Sequence, residues 1–171
     1  MRTEKQLTSI VSGTRSFHEA VTGFSHEGPW RFFKVAAPTL IGHNDIAPYN
    51  VCFEGDELVG VFDWDFAGPS TPLMELAFIA WNCVPLWRDI GADSASARLQ
   101  LIASTYGSSA ACDILDAVAH RIQLMLDAIP IASGAGDQGM VNLMAAGEPE
   151  RSQHALDDLL RRVPAIVARL G

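Results

Sequence analysis

A short hairpin between two polar motifs constrains the fold of this chain more than any other feature. Residues 51–54 and 58–62 are apolar enough to form strands, and Gly55 between them suits a tight turn with a positive φ. An H-x-D-x-x-x-x-N motif at residues 43–50 precedes the hairpin, and a D-W-D sequence at residues 63–65 follows it. Because a hairpin returns the chain to its starting point, we expect the two motifs to meet in one cleft.

Helical patterns account for most of the remaining chain. Residues 3–24 carry apolar side chains at helical spacing, with Thr3 as a cap, and residues 25–38 are a loop. Glycines and prolines divide the part after residue 72 into helices, which we place at about 73–84, 94–106, 109–132, 137–146 and 150–169. No repeat or low-complexity tract marks a boundary. The sequence therefore predicts one domain over residues 1–171, of class α+β and mostly α, with one antiparallel hairpin.

Composition narrows the class of partner and the compartment. About half of the chain (49%) is hydrophobic, which is enough for a sizeable core, and the formal net charge is −8. This charge argues against nucleic acid or an anionic membrane surface as partner, and is compatible with a cationic substrate. Three widely spaced cysteines (Cys52, Cys83 and Cys112) indicate buried thiols in a reducing compartment. With neither a signal peptide nor a membrane-spanning stretch in the sequence, we expect a cytoplasmic protein.

The two motifs contain the residue types that phosphoryl transfer needs. Asp45 is placed to accept the proton of an acceptor hydroxyl, and Asn50 and Asp63 offer oxygen ligands of the kind that Mg²⁺ prefers. In an extended segment Asp65 would project to the same side as Asp63 and could help the metal or the loop. Each acid taken alone has a simpler interpretation, as a cap, a turn former or a loop acid.

Several other conspicuous residues have structural interpretations. We expect His43 to pack its ring under the loop and Trp64 to anchor a loop or the core. Residues 134–139 match G-x-G-x-x-G but follow a helix rather than a strand, so they indicate a linker between helices. Three histidines lack metal-ligand spacing and are interpreted as ordinary surface or helix residues: His26, His120 and His154.

At these motifs the chain resembles the aminoglycoside phosphotransferase and choline-kinase-like family, whose members carry H-G-D-x-x-P-x-N, a hairpin, D-W-[DE] and then Asp-Leu-Ala. The matching residues here are His43, Asp45, Pro48, Asn50, Asp63 and Asp65. The resemblance implies the helical C-lobe of a protein-kinase-like fold. It also implies Asp45 as catalytic base, Asn50 and Asp63 as Mg²⁺ ligands, ATP or GTP as donor and a small-molecule hydroxyl as acceptor. The chain departs from the pattern at Asn44, where the family usually has Gly, and at Glu75, where it usually has Asp.

The family's nucleotide-binding N-lobe has no counterpart before residue 43. Lys5 and Lys34 fall in a helix start and a loop, not on a strand with a helical glutamate partner. Two hypotheses follow. The chain is a phosphotransferase that is impaired or inactive alone, with its N-lobe supplied by another chain or replaced by a homodimer contact near the cleft. Alternatively, it is a non-catalytic, pseudokinase-like binding module.

Overall fold

The computed structural model describes residues 2–24, 29–31 and 35–171. In these ranges the chain forms six helices: α1 (Glu4–Ala20), α2 (Pro72–Cys83), α3 (Ala92–Tyr106), α4 (Ala111–Gly134), α5 (Gln138–Ala145) and α6 (Glu148–Leu170). The strands are short: β1 (Leu40–Gly42), β2 (Val51–Glu54), β3 (Glu57–Val61) and β4 (Gly68–Ser70). The predicted class, α+β and mostly α, is confirmed.

Helix α1 begins where the sequence predicts and ends earlier. The Thr3 side chain accepts a hydrogen bond from the Gln6 backbone N–H, and the Gln6 side chain accepts one from the Thr3 N–H, which completes a capping box. The helix ends at Ala20 rather than near residue 24, and Gly23 takes a φ of +80° in the turn that follows. Five of its side chains are buried: Leu7, Ile10, Val11, Thr14 and His18.

The predicted hairpin is present, and a second pair of strands accompanies it. Strands β2 and β3 pair antiparallel around Gly55, whose φ is +63° as the turn requires. Strand β3 ends at Val61, one residue before its predicted end. Strand β1 pairs antiparallel with β4, from Leu40 opposite Ser70 to Gly42 opposite Gly68. The prediction of one hairpin was therefore incomplete, and the β1–β4 pairing joins the two ends of the segment that carries both motifs.

Helix α2 lies at the centre of the core. Nearly all of its residues are buried, because α1, α3 and β1 contact it on some sides and α4 packs closely along another. This explains why its sequence is apolar all round rather than amphipathic. The core continues into α3, α4 and α6 through fully or almost fully buried residues such as Leu99, Ile122 and Leu159.

Two sequence interpretations outside the motifs have clear outcomes. The G-x-G-x-x-G match is a linker between helices, since α4 ends at Gly134, Gly136 takes a φ of +88° and α5 begins at Gln138. The prediction of three buried thiols was wrong for Cys52 and Cys112, which are exposed, whereas Cys83 is buried. Cys52 lies on a hairpin that is open to solvent, and Cys112 lies in the first turn of α4. Within the described residues, none of the helices has both the length and the apolar character needed to cross a membrane.

Candidate active site

The loop of residues 43–50 begins directly after β1, and its second residue has a backbone conformation in the left-handed region. Asn44 has a φ of +63°, which asparagine tolerates better than most residues. Its side-chain amide donates hydrogen bonds to the carbonyl oxygens of Phe66 and Gly68, each at 3.2 Å. The family's usual glycine is thus replaced by a residue that keeps the backbone conformation. The added side chain ties the loop to β4.

A buried carboxylate lies beneath the start of this loop. Glu75, in the first turn of α2, accepts hydrogen bonds from the backbone N–H of His43 at 2.9 Å and of Asn44 at 2.8 Å. Gly42 leaves room for it, since a Cβ at that position would lie 2.7 Å from the Glu75 Cδ and from the Ser70 Cβ. Hydrogen bonds from backbone N–H groups to a charged acceptor are among the stronger ones. Glu75 therefore fixes the loop backbone at the two residues that precede Asp45.

The polar contacts beneath the loop extend to two other helices. The Nε2 atom of His18, from α1, lies 3.7 Å from a Glu75 carboxylate oxygen, and its Nδ1 lies 2.8 Å from the Tyr106 hydroxyl at the end of α3. His18 and Glu75 are almost completely buried. These contacts connect the loop to α1, α2 and α3.

Asp45 is held by its own loop and has an altered acidity. The Asn50 side-chain amide donates to the Asp45 carboxylate at 2.7 Å and to the Asp45 carbonyl oxygen at 2.9 Å. Burial raises the pKa of Asp45 to about 7, against the lowering effects of Asn50 and of the Arg121 charge. A carboxyl group with a pKa near neutrality is suited to accept and return a proton.

Arg121, from the middle of α4, contacts the start of the loop. It donates a hydrogen bond to the Asn44 carbonyl oxygen at 2.5 Å, and its guanidinium lies 4.3 Å from the centre of the Phe78 ring. Its side chain is fully buried, and burial lowers its pKa to about 10. It therefore places a positive charge beside Asp45 and Glu75, whose Coulombic interactions favour the charged guanidinium.

The hairpin brings Asp63 back toward the loop. The Phe62 N–H donates to the Asn50 carbonyl oxygen at 3.0 Å, so the residue before Asp63 touches the end of the loop. Asp63 is exposed, has a φ of +64°, and its charge is close enough to raise the pKa of Asp45. Asp45 and Asn50 are in direct contact, and Asp63 follows the residue that bonds to the Asn50 carbonyl oxygen.

Asp65 does not extend beside Asp63 as predicted. Residues Trp64–Phe66 form a single 3-10 turn, which rotates the Asp65 side chain away from the direction expected of an extended segment. Its carboxylate pairs with Arg31, which also contacts Asp137 at the start of α5, with 3.0 Å between the Arg31 Nε and an Asp137 oxygen. The prediction of an extended segment at Asp65 was therefore wrong, and its help to the metal or the loop stays a prediction.

The structural interpretations of His43 and Trp64 are confirmed. His43 is fully buried, accepts a hydrogen bond from the Asp45 N–H, and donates one to the Phe62 carbonyl oxygen at 3.1 Å. Burial lowers its pKa, so the neutral ring is favoured. The Trp64 ring lies 4.4 Å from the His43 ring, and its indole N–H donates to the Val61 carbonyl oxygen, which anchors the turn after β3.

The histidines and lysines interpreted from the sequence as lying outside the site are placed as follows. His120 and His154 are exposed on α4 and α6. Lys5 lies in the first turn of α1, whereas His26 and Lys34 lie outside the described residues. Among the residues that the structure describes, no three His, Cys, Asp or Glu side chains are grouped closely enough to hold a metal ion.

A cavity of about 420 Å³ opens beside Asp45, and among the described residues no side chain of β2 or β3 lines it. Its walls come from the loop and from α2, α4, α5 and α6, and they include Asp45, Tyr49, Trp81, Arg121, Leu143 and Glu148. A volume of this size is within the range of small-molecule sites. The arrangement allows a hydroxyl group of a bound molecule to meet the Asp45 carboxylate.

Sequence reasoning missed the residues that hold the loop from below and from the side. Glu75 was noted only as a departure from a family pattern, and Arg121 was not singled out at all. Arg121 interrupts the apolar stripe of α4, with Val118, Ile122 and Leu126 buried around it. An arginine inside such a stripe is a signal, because a buried guanidinium needs carbonyl or carboxylate partners.

Comparison with known proteins gave one family and one relative. Residues 15–112 match the model of the phosphotransferase enzyme family, which is more than half of the chain. Among curated proteins, the trifolitoxin immunity protein of Rhizobium leguminosarum bv. trifolii is 33% identical over 78 residues. That match covers 41% of this chain and 30% of the immunity protein, so the chain spans less than a third of that relative. No solved structure matched the chain.

Proposed function

The chain belongs to the phosphotransferase enzyme family, and from this premise we propose that it transfers a phosphoryl group from a nucleotide to a hydroxyl group of a small molecule. The matched residues include the loop, the hairpin, the D-W-D sequence and helices α2 and α3. In this proposal the helical part corresponds to the C-lobe of a kinase-like fold, and ATP or GTP is the donor.

One observation carries the proposal: the Asp45 carboxylate faces a cavity while Asn50 holds it and burial brings its pKa to about 7. In the proposed reaction the acceptor hydroxyl oxygen bonds to the terminal phosphorus as the bond from that phosphorus to the bridging oxygen breaks. The hydroxyl proton passes to Asp45, and the nucleoside diphosphate leaves with the bridging oxygen. Positioning of the hydroxyl by a fixed carboxylate supplies most of what the protein contributes to such a step.

The donor atoms at the hairpin end fit a magnesium ion. The hydrogen bonds from Asn50 to Asp45 use the amide nitrogen, and the amide oxygen is the other end of the same group. Asp63 adds an exposed carboxylate, and magnesium is held in many sites by one or two such groups, with phosphate and water completing its shell. We propose that Asn50 and Asp63 hold Mg²⁺, which when bound neutralises charge on the transferred phosphate.

A second candidate function is a binding module that does not transfer phosphate. Among the described residues before β1 there is one helix, α1, and no strand that could carry a phosphate-binding lysine. This observation favours slow or absent turnover by the chain on its own. The immunity function named for the relative is compatible either with modification of a toxic molecule or with its capture.

Turnover and ligand binding, measured for the wild type and two variants, separate the two candidates. The wild-type chain, with ATP and MgCl₂, is incubated with a panel of alcohols, and phosphorylated products are sought by mass spectrometry. If the chain is an enzyme, Asp45→Asn abolishes product and Asp116→Asn, an exposed change on α4, does not. If wild type yields no phosphorylated alcohol although an alcohol binds, the binding module is supported and the enzyme proposal fails for the chain on its own.

The proposed metal ligands have a test that needs no substrate. Mn²⁺ should bind weakly to the wild-type chain, because phosphates normally complete its shell, and Asp63→Asn should abolish that binding while the circular dichroism spectrum stays unchanged. Asp65→Asn is the matched control, since that carboxylate pairs with Arg31. Mn²⁺ binding that Asp63→Asn leaves unchanged would contradict the assignment of Asp63 as a metal ligand.

We also propose that the chain associates with a second copy through the hairpin side of the site. Large apolar side chains are exposed there, namely Val59, Phe62 and Trp64. Burial of such residues is typical of interfaces, and a symmetric dimer is the commonest soluble assembly. Sedimentation should show a dimer at micromolar concentration, and Phe62→Asp should shift it to monomer; a wild-type monomer would refute the proposal.

A further inference from the structure

We propose that the cavity beside Asp45 takes a largely apolar alcohol without a positive charge, and that it does not take a polycation. This inference rests on the proposed function, because it names the chemical class of the acceptor. It also argues against a cationic substrate, with which the net charge of the chain is compatible.

The wall of the cavity is mainly apolar and aromatic. Side chains from α2, α4 and α5, together with one from the turn after β3, provide this surface: Phe66, Phe78, Trp81, Met125, Ile129 and Leu143. A ligand that fills the space gains most of its binding free energy from burial of apolar area against such residues. A polyhydroxylated, highly hydrated molecule would lose its water shell here without recovering enough hydrogen bonds.

The acid at the far side of the cavity already has partners. Glu148, in the first turn of α6, accepts hydrogen bonds from Arg151 at 2.6 Å and from the Ser152 hydroxyl at 2.8 Å. The guanidinium of Arg151 neutralises this carboxylate from within the same helix. A cationic ligand at Glu148 would therefore share the carboxylate with Arg151 and gain less than from an unpaired acid.

Asp45, the acid at the near side of the cavity, also has a positive charge close to it. The fully buried guanidinium of Arg121 lies in the same wall as Asp45 and favours its ionised form. A ligand cation placed beside Asp45 would face Arg121 at short range, where low polarity strengthens the repulsion. Among the described residues that line the cavity, the charged ones are Asp45, Arg121 and Glu148. Arg151 lies beside Glu148, whereas the positive charge of Arg121 is shared between Asp45 and the buried Glu75.

A neutral hydroxyl group is not repelled by the guanidinium of Arg121. It can donate its proton to the Asp45 carboxylate, while an aromatic or aliphatic body lies against Phe78, Trp81 and Leu143. The acceptor that fits the site is therefore an alcohol whose remaining surface is mostly apolar, and whose size is limited by a volume of about 420 Å³.

The test uses two probes that differ in one group. Tryptophol and tryptamine share an indole and a two-carbon chain, and they end in a neutral hydroxyl and a charged amine respectively. Isothermal titration calorimetry without nucleotide should show tryptophol binding at least about tenfold more tightly than tryptamine. Kanamycin, a hydroxylated polycation, should show no binding in the same experiment.

A pair of variants on α5 locates the binding. Leu143→Trp fills the cavity and should weaken tryptophol binding at least about tenfold, because the probe loses its space. Met144→Trp makes a similar change at the next, exposed position and should leave the affinity unchanged. Circular dichroism verifies the fold of both variants. If Leu143→Trp does not fold, the ratio of the two probe affinities in the wild type still decides the question.

Failure of this inference is distinguishable from failure of the proposed function. Tighter binding of tryptamine, binding of kanamycin that Leu143→Trp weakens, or no binding of tryptophol would overturn the inference. Tryptophol that binds in the cavity but is never phosphorylated would instead overturn the proposed function for the chain on its own. Phosphorylated kanamycin would support the function and overturn the inferred class of acceptor.

Discussion

The two sides of the 43–50 loop are held by different kinds of interaction. On the inner side, Glu75 and Arg121 are buried and bond to the backbone of His43 and Asn44. On the hairpin side, Asp63 and Asp65 are exposed, and Asp65 is held by an exposed arginine on another loop. The two residues before the one proposed to handle the proton are therefore fixed by buried charged side chains, whereas the residue proposed to face metal and phosphate is exposed. We expect substitutions on the inner side to cost stability, and those on the hairpin side to cost little.

The largest effect should come from Glu75→Leu. This change leaves two buried N–H groups without their acceptor, and we expect the free energy of unfolding to fall by roughly 2–5 kcal/mol. Urea denaturation measures the change. Glu54→Leu, at an exposed position of β2, is the matched control, and Glu75→Asp should fall between them because it keeps the charge on a shorter side chain. A loss below about 1 kcal/mol for Glu75→Leu would contradict the role of this carboxylate.

The next effect should come from Arg121→Met. Removing the guanidinium leaves the Asn44 carbonyl oxygen without its donor and two acids without a nearby positive charge, so we expect a loss of roughly 3 kcal/mol. The pKa of Asp45 should rise above about 7, because the Arg121 charge lowers it in the wild type. Carbon-detected NMR titration of Asp45 reports this shift. Arg15→Met, at an exposed pair with Glu19, should leave that pKa unchanged.

Asp45→Asn should stabilise the fold at high pH. The pKa of Asp45 in the folded chain is about 7, above its unfolded value of 3.8, so the folded state binds more protons between these values. The wild type therefore loses stability as pH rises from about 4 to 7, and the Asp45→Asn variant would not show this loss. Thermal denaturation should give a higher Tm for Asp45→Asn near pH 8 and little difference near pH 4. A Tm advantage that is independent of pH would show that burial of the charge is not its cause.

The smallest effect should come from Arg31→Ala on the hairpin side. Its ion pairs with Asp65 and Asp137 are open to solvent and screened by salt, so the loss of stability should be smaller than for the two inner-side variants. The pKa of Asp137 should rise toward its ordinary value, because the hydrogen bond from Arg31 is the main cause of its lowering. NMR titration of Asp137 tests this. A loss as large as that of Arg121→Met would remove the contrast between the two sides.

Local patterns in the sequence were sufficient for the helices and the hairpin. The helical spacing and the glycines gave α2 to α6 within about two residues at most ends, and Gly55 gave the turn. The unusual φ of Asn44 was also compatible with its residue type. These features depend on neighbours in the chain.

Features that depend on distant partners could not be obtained in the same way. The pairing of β1 with β4 joins two three-residue strands with weak individual signals. The roles of Glu75 and Arg121 follow from α2 and α4 packing against the loop, which no local pattern encodes. Likewise, an apolar neighbourhood in the sequence did not bury Cys52, since a two-stranded hairpin leaves one face open. The roles of Asp45, Asn50 and Asp63 remain predictions.

The close approach at Gly42 limits how this site can change over evolution. A Cβ at position 42 would lie 2.7 Å from both the Glu75 side chain and the Ser70 Cβ, so no alanine fits while the glutamate is present. A shorter acid at position 75, as the family usually has, would relieve only the first of these contacts, because the Ser70 Cβ stays in place. The pairing of β1 with β4 therefore restricts position 42 to glycine whichever acid stands at position 75. The acid at position 75 can change length over evolution without opening position 42 to a side chain.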